Sequence, residues 1–255
     1  MGVERILEPI ARKLPFDTAI RAVNLLLRSQ GIGSGGEIST SGEEKVFELI
    51  TSATPVLFDV GGHIGEYSKV FLKRFPKGTS VLFEPSAAHM EMAKQALPKR
   101  VRFFSVALSA HEGVGTLYKD RQISGLASLT KRNLDFRDLH LNIAEKVILR
   151  TLDSVMHEIE VDRIDLLKID VEGHGLDVLN GAEKTIAEGR IGMVQFEFGG
   201  CNLDTRTTMA DFFRFFEARG YVLHLIRPGG GVAALPKYRE AYEQYQTANY
   251  LAKRP

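Results

Sequence analysis

Asp170, Glu172 and His174 fall within the run Asp170-Val171-Glu172-Gly173-His174, directly after the apolar stretch Ile164–Ile169, and Lys168 lies inside that stretch. Two carboxylates, an imidazole and an ammonium beside a glycine make a dense titratable cluster for the end of a buried strand, the kind of place where proton-transfer groups collect. An imidazole titrates near neutrality and suits removal of a proton from an attacking hydroxyl. Asp170, or Glu197 in the later run Met193–Phe198, is the alternative base or orienting group. The oxygens of Asp170, Glu172 and Glu197 are also a candidate set for Mg²⁺, which would acidify a bound diol. The plainer reading of His174 is a solvent-facing residue at a helix start. His111 and His140 read as solvated, and Cys201, with no His beside it in sequence, as an inert thiol.

A second chemical stretch is Pro55–Ser68, PVLFDVGGHIGEYS. A short apolar strand ends at Asp59, glycines follow at 61, 62 and 65, and helical spacing resumes at Glu66. Strand, glycine turn and helix bring free backbone N–H groups up to a ligand. His63 breaks the G-x-G-x-x-G dinucleotide fingerprint. An acid followed by Gly-x-x-x-Gly suits a ligand with a positive amino or sulfonium group and no pyrophosphate, which points to S-adenosylmethionine and away from a nicotinamide dehydrogenase. Thr79–Phe83 reads as the next strand, ending at Glu84-Pro85, about twenty positions after the turn, where a carboxylate meets ribose hydroxyls. Ala107 stands where the third strand should meet the adenine.

These residues need an alternating α/β frame. Strands are read at Val56–Phe58, Thr79–Phe83, Val101–Val106, Val147–Leu152, Ile164–Ile169, Met193–Phe198 and Tyr221–Ile226, with Gly113–Tyr118 as a hairpin arm and Asn249–Ala252 as a closing edge strand. Ser41 and Glu44 form a capping-box pattern opening a helix over 43–50. Further helices are read from Ser86 to Leu97, Leu176 to Glu188, Met209 to Arg219, with four phenylalanines on a broad apolar face, and Lys237 to Gln246. Such alternation gives a doubly wound, mostly parallel sheet whose ligands gather at the strand C-termini. Residues 119–145 have no clean period and read as a specificity loop. Residues 1–30 read as one or two helices broken near Pro15, with Ile6, Leu7, Ile10 and Ile20, Val23, Leu25, Leu27 at helical spacing. They form a cap or a homodimer interface, or else a membrane-surface helix through Arg5, Arg12, Lys13, Arg21 and Arg28. The Gly/Ser-rich stretch 31–42 is a linker or a ligand-side lid. The chain therefore divides into a cap and loop, 1–42, and a cofactor-binding domain, 43–255.

The 255 residues, 44% of them hydrophobic, can bury a core without disulfides, and the single cysteine excludes a disulfide framework and a cysteine-cluster metal site. Thirty-three Lys+Arg against 32 Asp+Glu give no basic excess to suggest nucleic acid. No apolar run reaches the roughly 18 residues of a membrane span. Charges interrupt the N-terminus where a signal peptide would be apolar, so a cytoplasmic protein is expected.

On FDVGGHIGEYS (58–68), FEP (83–85), LLKIDVEGHGLDVLNGAE (166–183) and QFEF (195–198), with TSGE (40–43) as lead-in, the chain resembles the FkbM-type family of S-adenosylmethionine-dependent methyltransferases. The resemblance covers most of 37–226. It implies a class I methyltransferase Rossmann-like sheet of seven strands with an antiparallel edge hairpin, and O-methylation of a sugar, glycan, polyketide or lipid hydroxyl. It makes Asp59, Gly61 and Gly65 the cofactor loop, Glu84 the ribose ligand, and Asp170, Glu172 and His174 the catalytic-side turn. Glu43, Gly62, His63, Pro85, Ala107 and Asp170 complete the cofactor side, and Glu197 the catalytic side. Two positions depart from the family pattern: Gly62-His63 replaces Ala-Asn, and Gly175 replaces Glu. They motivate the alternative of a binding or scaffold protein that keeps the sheet without the chemistry.

Overall fold

The computed structural model describes residues 8, 9 and 11–255. Its strands are β1 (Val56–Val60), β2 (Thr79–Phe83), β3 (Arg102–Phe104), β4 (Ala107–Leu108), β5 (Gly113–Lys119), β6 (Ile143–Arg150), β7 (Ile164–Ile169), β8 (Ile191–Phe198), β9 (Val222–Ile226), β10 (Val232–Leu235) and β11 (Ala248–Lys253). Eight form one sheet in the order β10-β9-β11-β8-β7-β1-β2-β3. Strands β3, β2, β1, β7 and β8 run parallel, while β11 is antiparallel to both β8 and β9. Six of the strands read from sequence lie in this sheet with β11, giving the seven of the implied fold, and β10 adds a hairpin at the edge, whereas the strand read over Val147–Leu152 falls at β6 in a second sheet.

The parallel strands are legible because both of their faces are covered, so they read as continuous apolar runs. One face packs on the helix Met209–Glu217, whose Phe212, Phe213, Phe215 and Phe216 are all buried. Phe196 stacks between Phe212 and Tyr250. Burial of one such ring contributes about 2–3 kcal/mol. The helix starts at a capping box in which Thr208 and Asp211 satisfy each other's backbone N–H. The other face packs on Phe47, Tyr67 and Phe71.

Several elements depart from the sequence reading. Strand β11 is internal, with a partner on each side, rather than a closing edge. Of the helix read over 237–246 only the 3-10 turn Glu240–Tyr242 forms. There the Glu243 carboxylate accepts the N–H groups of Met209 and Ala210, and Tyr242 stacks on Phe213. Tertiary contacts outweigh local propensity at that segment. The third strand stops at Phe104, and the chain then enters a separate sheet, β4-β6-β5. The helix over 176–188 is two, Gly175–Asn180 and Glu183–Ala187, broken at Gly181, where a Cβ would lie 2.1 Å from the Ser109 carbonyl oxygen. Residues Glu43–Leu49 are a 3-10 helix without the capping box, because Ser41 Oγ donates to Glu43 instead.

The helix Phe16–Ser29 lies outside both layers, with no buried side chain among its residues. Ile6, Leu7, Ile10 and Arg5 lie outside the described residues. Among the described residues no helix is long and apolar enough to cross a membrane.

Candidate active site

A cavity of about 720 Å³ opens along the C-terminal ends of β1, β2 and β7, and residues 35–39 form part of its wall. Its floor is the glycine turn. Asp59, the fourth residue of β1 rather than its last, is buried and accepts Ser68 N at 3.1 Å and Ser68 Oγ at 2.6 Å. Burial pushes its carboxyl up to about 6, against the Ser68 bonds and the Lys168 charge. Gly61, at φ +76°, passes so close to the turn that follows β7 that a Cβ would sit 1.8 Å from the Asp170 carbonyl oxygen. A Cβ on Gly62 would meet Leu82 at 2.5 Å. Gly65 is not among the residues lining the cavity: at φ +87° it packs against Leu97, where a Cβ would lie 2.6 Å from the leucine Cδ1.

Glu84 follows β2 and joins three segments. One oxygen accepts His63 N at 3.0 Å, and the other accepts Ser86 N at 2.8 Å and lies 3.3 Å from His89 Nδ1. Ser124 N donates to His89 Nε2 at 3.0 Å, which places the His89 proton on Nδ1, facing Glu84. The His63 ring stands edge-on to His89 at 4.4 Å, in the left-handed region (φ +48°), and its buried Nε2 has no partner among the described residues. Burial and then His89 lower the His63 pKa. Pro85 and Ala107 complete this end.

The other end is built on β7. Lys168 Nζ lies 3.0 Å from Asp170 Oδ2 and 3.5 Å from Glu43 Oε1. Burial lowers the pKa of this ammonium, and Asp170, Glu43 and Glu197 more than offset the loss, leaving it raised. Glu43 is held in turn by Gln195 Nε2 at 2.6 Å and Ser41 Oγ at 2.8 Å, and Gln195 Oε1 accepts the Tyr67 hydroxyl at 2.7 Å. Glu172, at φ +47°, pairs with Arg132, which also bonds Asp204 at 3.1 Å. Burial, then Asp170, push the Glu172 carboxyl up to about 7 against the pull of Arg132. His174 Nδ1 lies 2.8 Å from Asp177 Oδ2, and Nε2 3.0 Å from Thr130 Oγ1.

Glu43, Asp59, Gly61, Gly62, His63, Glu84, Pro85, Ala107, Asp170, Glu172 and His174 thus share one cavity. Glu197 does not line it. It sits on β8, two strands from β1 and opposite Asn249 of β11, and burial followed by Asp170 and Glu172 raises its pKa well above the carboxylate range. The Mg²⁺ reading fails on the same geometry. Asp170 faces Lys168, Glu172 faces Arg132, Glu197 is off the wall, and no group of three or more His, Cys, Asp or Glu among the described residues can hold a metal. Cys201 is buried, and its thiol is raised by that burial.

Asp177, Thr130, Arg132, His89 and Asn249 escaped the sequence reading. Asp177 carried a signal, being three residues after His174 on a helix and so on the same face. Thr130 and Arg132 come from the aperiodic loop. Asn249 is buried with both amide atoms unpartnered among the described residues.

The family model of the methyltransferase FkbM domain matches residues 59–223. The chain is 26% identical over 157 residues to the 2-O-methyltransferase NoeI of Sinorhizobium fredii, covering 57% of the chain and 65% of NoeI. It is 33% identical over 168 residues to the AMB antimetabolite synthetase AmbE of Pseudomonas aeruginosa, covering 53% of the chain and 8% of AmbE. The matched part is thus less than two thirds of the length of either relative. Among solved structures, a methyltransferase FkbM from Methylobacillus flagellatus KT superimposes with a TM-score of 0.50 at 14% identity, covering 78% of the chain and 44% of that protein, a likeness of fold.

Proposed function

The chain belongs to the FkbM methyltransferase family, and from that membership we propose that it methylates a hydroxyl of a sugar, glycan, polyketide or related small molecule with S-adenosylmethionine as donor. The observation that carries the reading is Glu84 and His174 on the wall of one cavity, with Asp177 behind the imidazole at 2.8 Å. NoeI's name makes it a 2-O-methyltransferase, which supports oxygen as the acceptor atom.

The residues fit the cofactor. Glu84 is held by His63 N and Ser86 N with acceptor capacity left for ribose hydroxyls. Gly61 and Gly62 leave room for close backbone approach, and the buried, unpartnered Nε2 of His63 is a polar atom in need of a ligand. When bound, the cofactor supplies a methyl carbon activated by a positively charged sulfur. The chain's part is alignment and proton removal. Asp177 fixes the Nδ1–H tautomer of His174, which leaves the Nε2 lone pair free to accept. Thr130 occupies that lone pair until the acceptor hydroxyl takes its place. As the acceptor oxygen attacks in line, its proton passes to Nε2 and then to solvent. Glu43, Asp59 and Asp170 around Lys168 give this part of the cavity more negative than positive charge, which favours a cationic donor.

Calorimetric titration with S-adenosylhomocysteine tests the reading. Micromolar binding that survives EDTA and is lost in Glu84→Ala is the expected result. No binding to the wild-type chain sinks it.

A further inference from the structure

At the end of β5 the chain makes an excursion over residues 119–127, closed at its base where Tyr118 and Ser128 exchange backbone hydrogen bonds at 2.8 and 3.1 Å. Ser124, Gly125 and Ala127 of this excursion line the cavity. Little apolar contact holds it there: Arg121, Gln122 and Gly125 are exposed, and Ile123 and Leu126 only half-buried. Its internal turn is made by Ser124 Oγ, which donates to Asp120 and accepts Leu126 N at 3.1 Å. Among the described residues a single hydrogen bond joins 120–127 to the rest of the chain, from Ser124 N to His89 Nε2 at 3.0 Å.

His89 is buried, and its other nitrogen, which carries the proton, faces Glu84 Oε1 at 3.3 Å. The helix that holds it, Ala87–Ala96, is pinned at its start. Lys119 Nζ donates to Ser86 Oγ at 3.0 Å and to Glu145 Oε2 at 2.6 Å, and Glu145 Oε1 accepts Ala87 N at 2.9 Å. The imidazole thus has one fixed place, with a cavity carboxylate at one edge and the tip of the excursion at the other. An apolar side chain could fill the same buried space. A ring that donates at one edge and accepts at the other is required only where both edges are used.

We propose that His89 is a positioning residue for the donor, its Nδ1–H orienting Glu84 and its Nε2 keeping 120–127 closed against the cavity. The proposal rests on the reading of Glu84 as the ribose ligand.

Two substitutions separate the two edges. His89→Asn keeps a donor at the same number of bonds from Cβ as Nδ1 and has nothing at Nε2. His89→Gln reaches the Nε2 position with an acceptor oxygen and has no donor at the Nδ1 position. Hydrogen exchange of the 120–127 amides and calorimetric titration with S-adenosylhomocysteine read the edges in turn. His89→Asn should speed exchange over 120–127 about fivefold, the worth of one hydrogen bond, and leave the affinity within about twofold because the segment stays mostly closed. His89→Gln should weaken the affinity about fivefold or more and leave that exchange unchanged. Unaltered exchange in β1 and β7 shows that both variants are folded. Equal effects of the two variants on both readouts would make His89 a packing residue and overturn the proposal, as would no effect of either. Failure of the donor reading looks different. The wild-type chain then binds no S-adenosylhomocysteine, which overturns the role given to Glu84 and its orientation, while the exchange rates still decide whether His89 holds the wall.

Discussion

The Asp177 carboxylate lies 2.8 Å from Nδ1 of His174, and the opposite ring nitrogen reaches only the hydroxyl of Thr130. A carboxylate at one nitrogen of an imidazole on the cavity wall defines which nitrogen is free to take a proton. His174→Gln should cut kcat by about 10²–10⁴-fold, the usual worth of a general base. Asp177→Asn should cost less, with Asp177→Glu restoring part of the loss. S-adenosylhomocysteine affinity should hold in all three. Loss of affinity in parallel with rate would make the pair structural.

Glu84 accepts two backbone N–H groups, that of His63 on one oxygen and that of Ser86 on the other. Glu84→Gln keeps the shape and removes one acceptor oxygen together with the charge, so S-adenosylhomocysteine binding should weaken at least about tenfold, some 1.4 kcal/mol. Titration calorimetry reads the change directly.

Asp59 makes stability pH-dependent. Its carboxyl rises from 3.8 to about 6 on folding, so the folded chain holds a proton that the unfolded chain has released. Stability is then undiminished below pH 3.8 and falls as pH rises to about 6, by at most about 3 kcal/mol. Ser68 uses only Oδ2, and an amide oxygen can replace it. Asp59→Asn should therefore flatten this part of the curve in chemical denaturation across pH. An unchanged slope would reassign the proton to another group.

Asn249 carries a different cost. Both of its amide atoms are buried without partners among the described residues. Asn249→Val removes that burden from a strand position where a β-branched residue fits, and should stabilise the fold by about 1 kcal/mol. A lower Tm would mean that the amide is satisfied in solution.

The parallel core and its strand-end acids were legible because buried parallel strands are unbroken apolar runs and because Asp59, Glu84 and Asp170 interrupt or end them. The rest depended on contacts distant in sequence. Arg132 reaches the site at Glu172, 40 residues later, and is anchored by Asp204, 72 residues later, from a loop without period. The short run Asn249–Ala252 read as a closing edge, yet β11 has neighbours on both sides. Glu243 looked like part of a helix and instead caps the start of another. The three carboxylates at 170, 172 and 197 suggested a cation. They had in fact to be read together with Lys168 and Arg132, one adjacent in sequence and one far from it.

The contact between Gly61 and the Asp170 carbonyl, too tight for any side chain, joins the glycine turn after β1 directly to the turn after β7. A ligand that orders either turn would then order its neighbour as well. Donor and acceptor should therefore bind cooperatively, each raising the affinity of the other by the same factor. Departure of either product should loosen its companion.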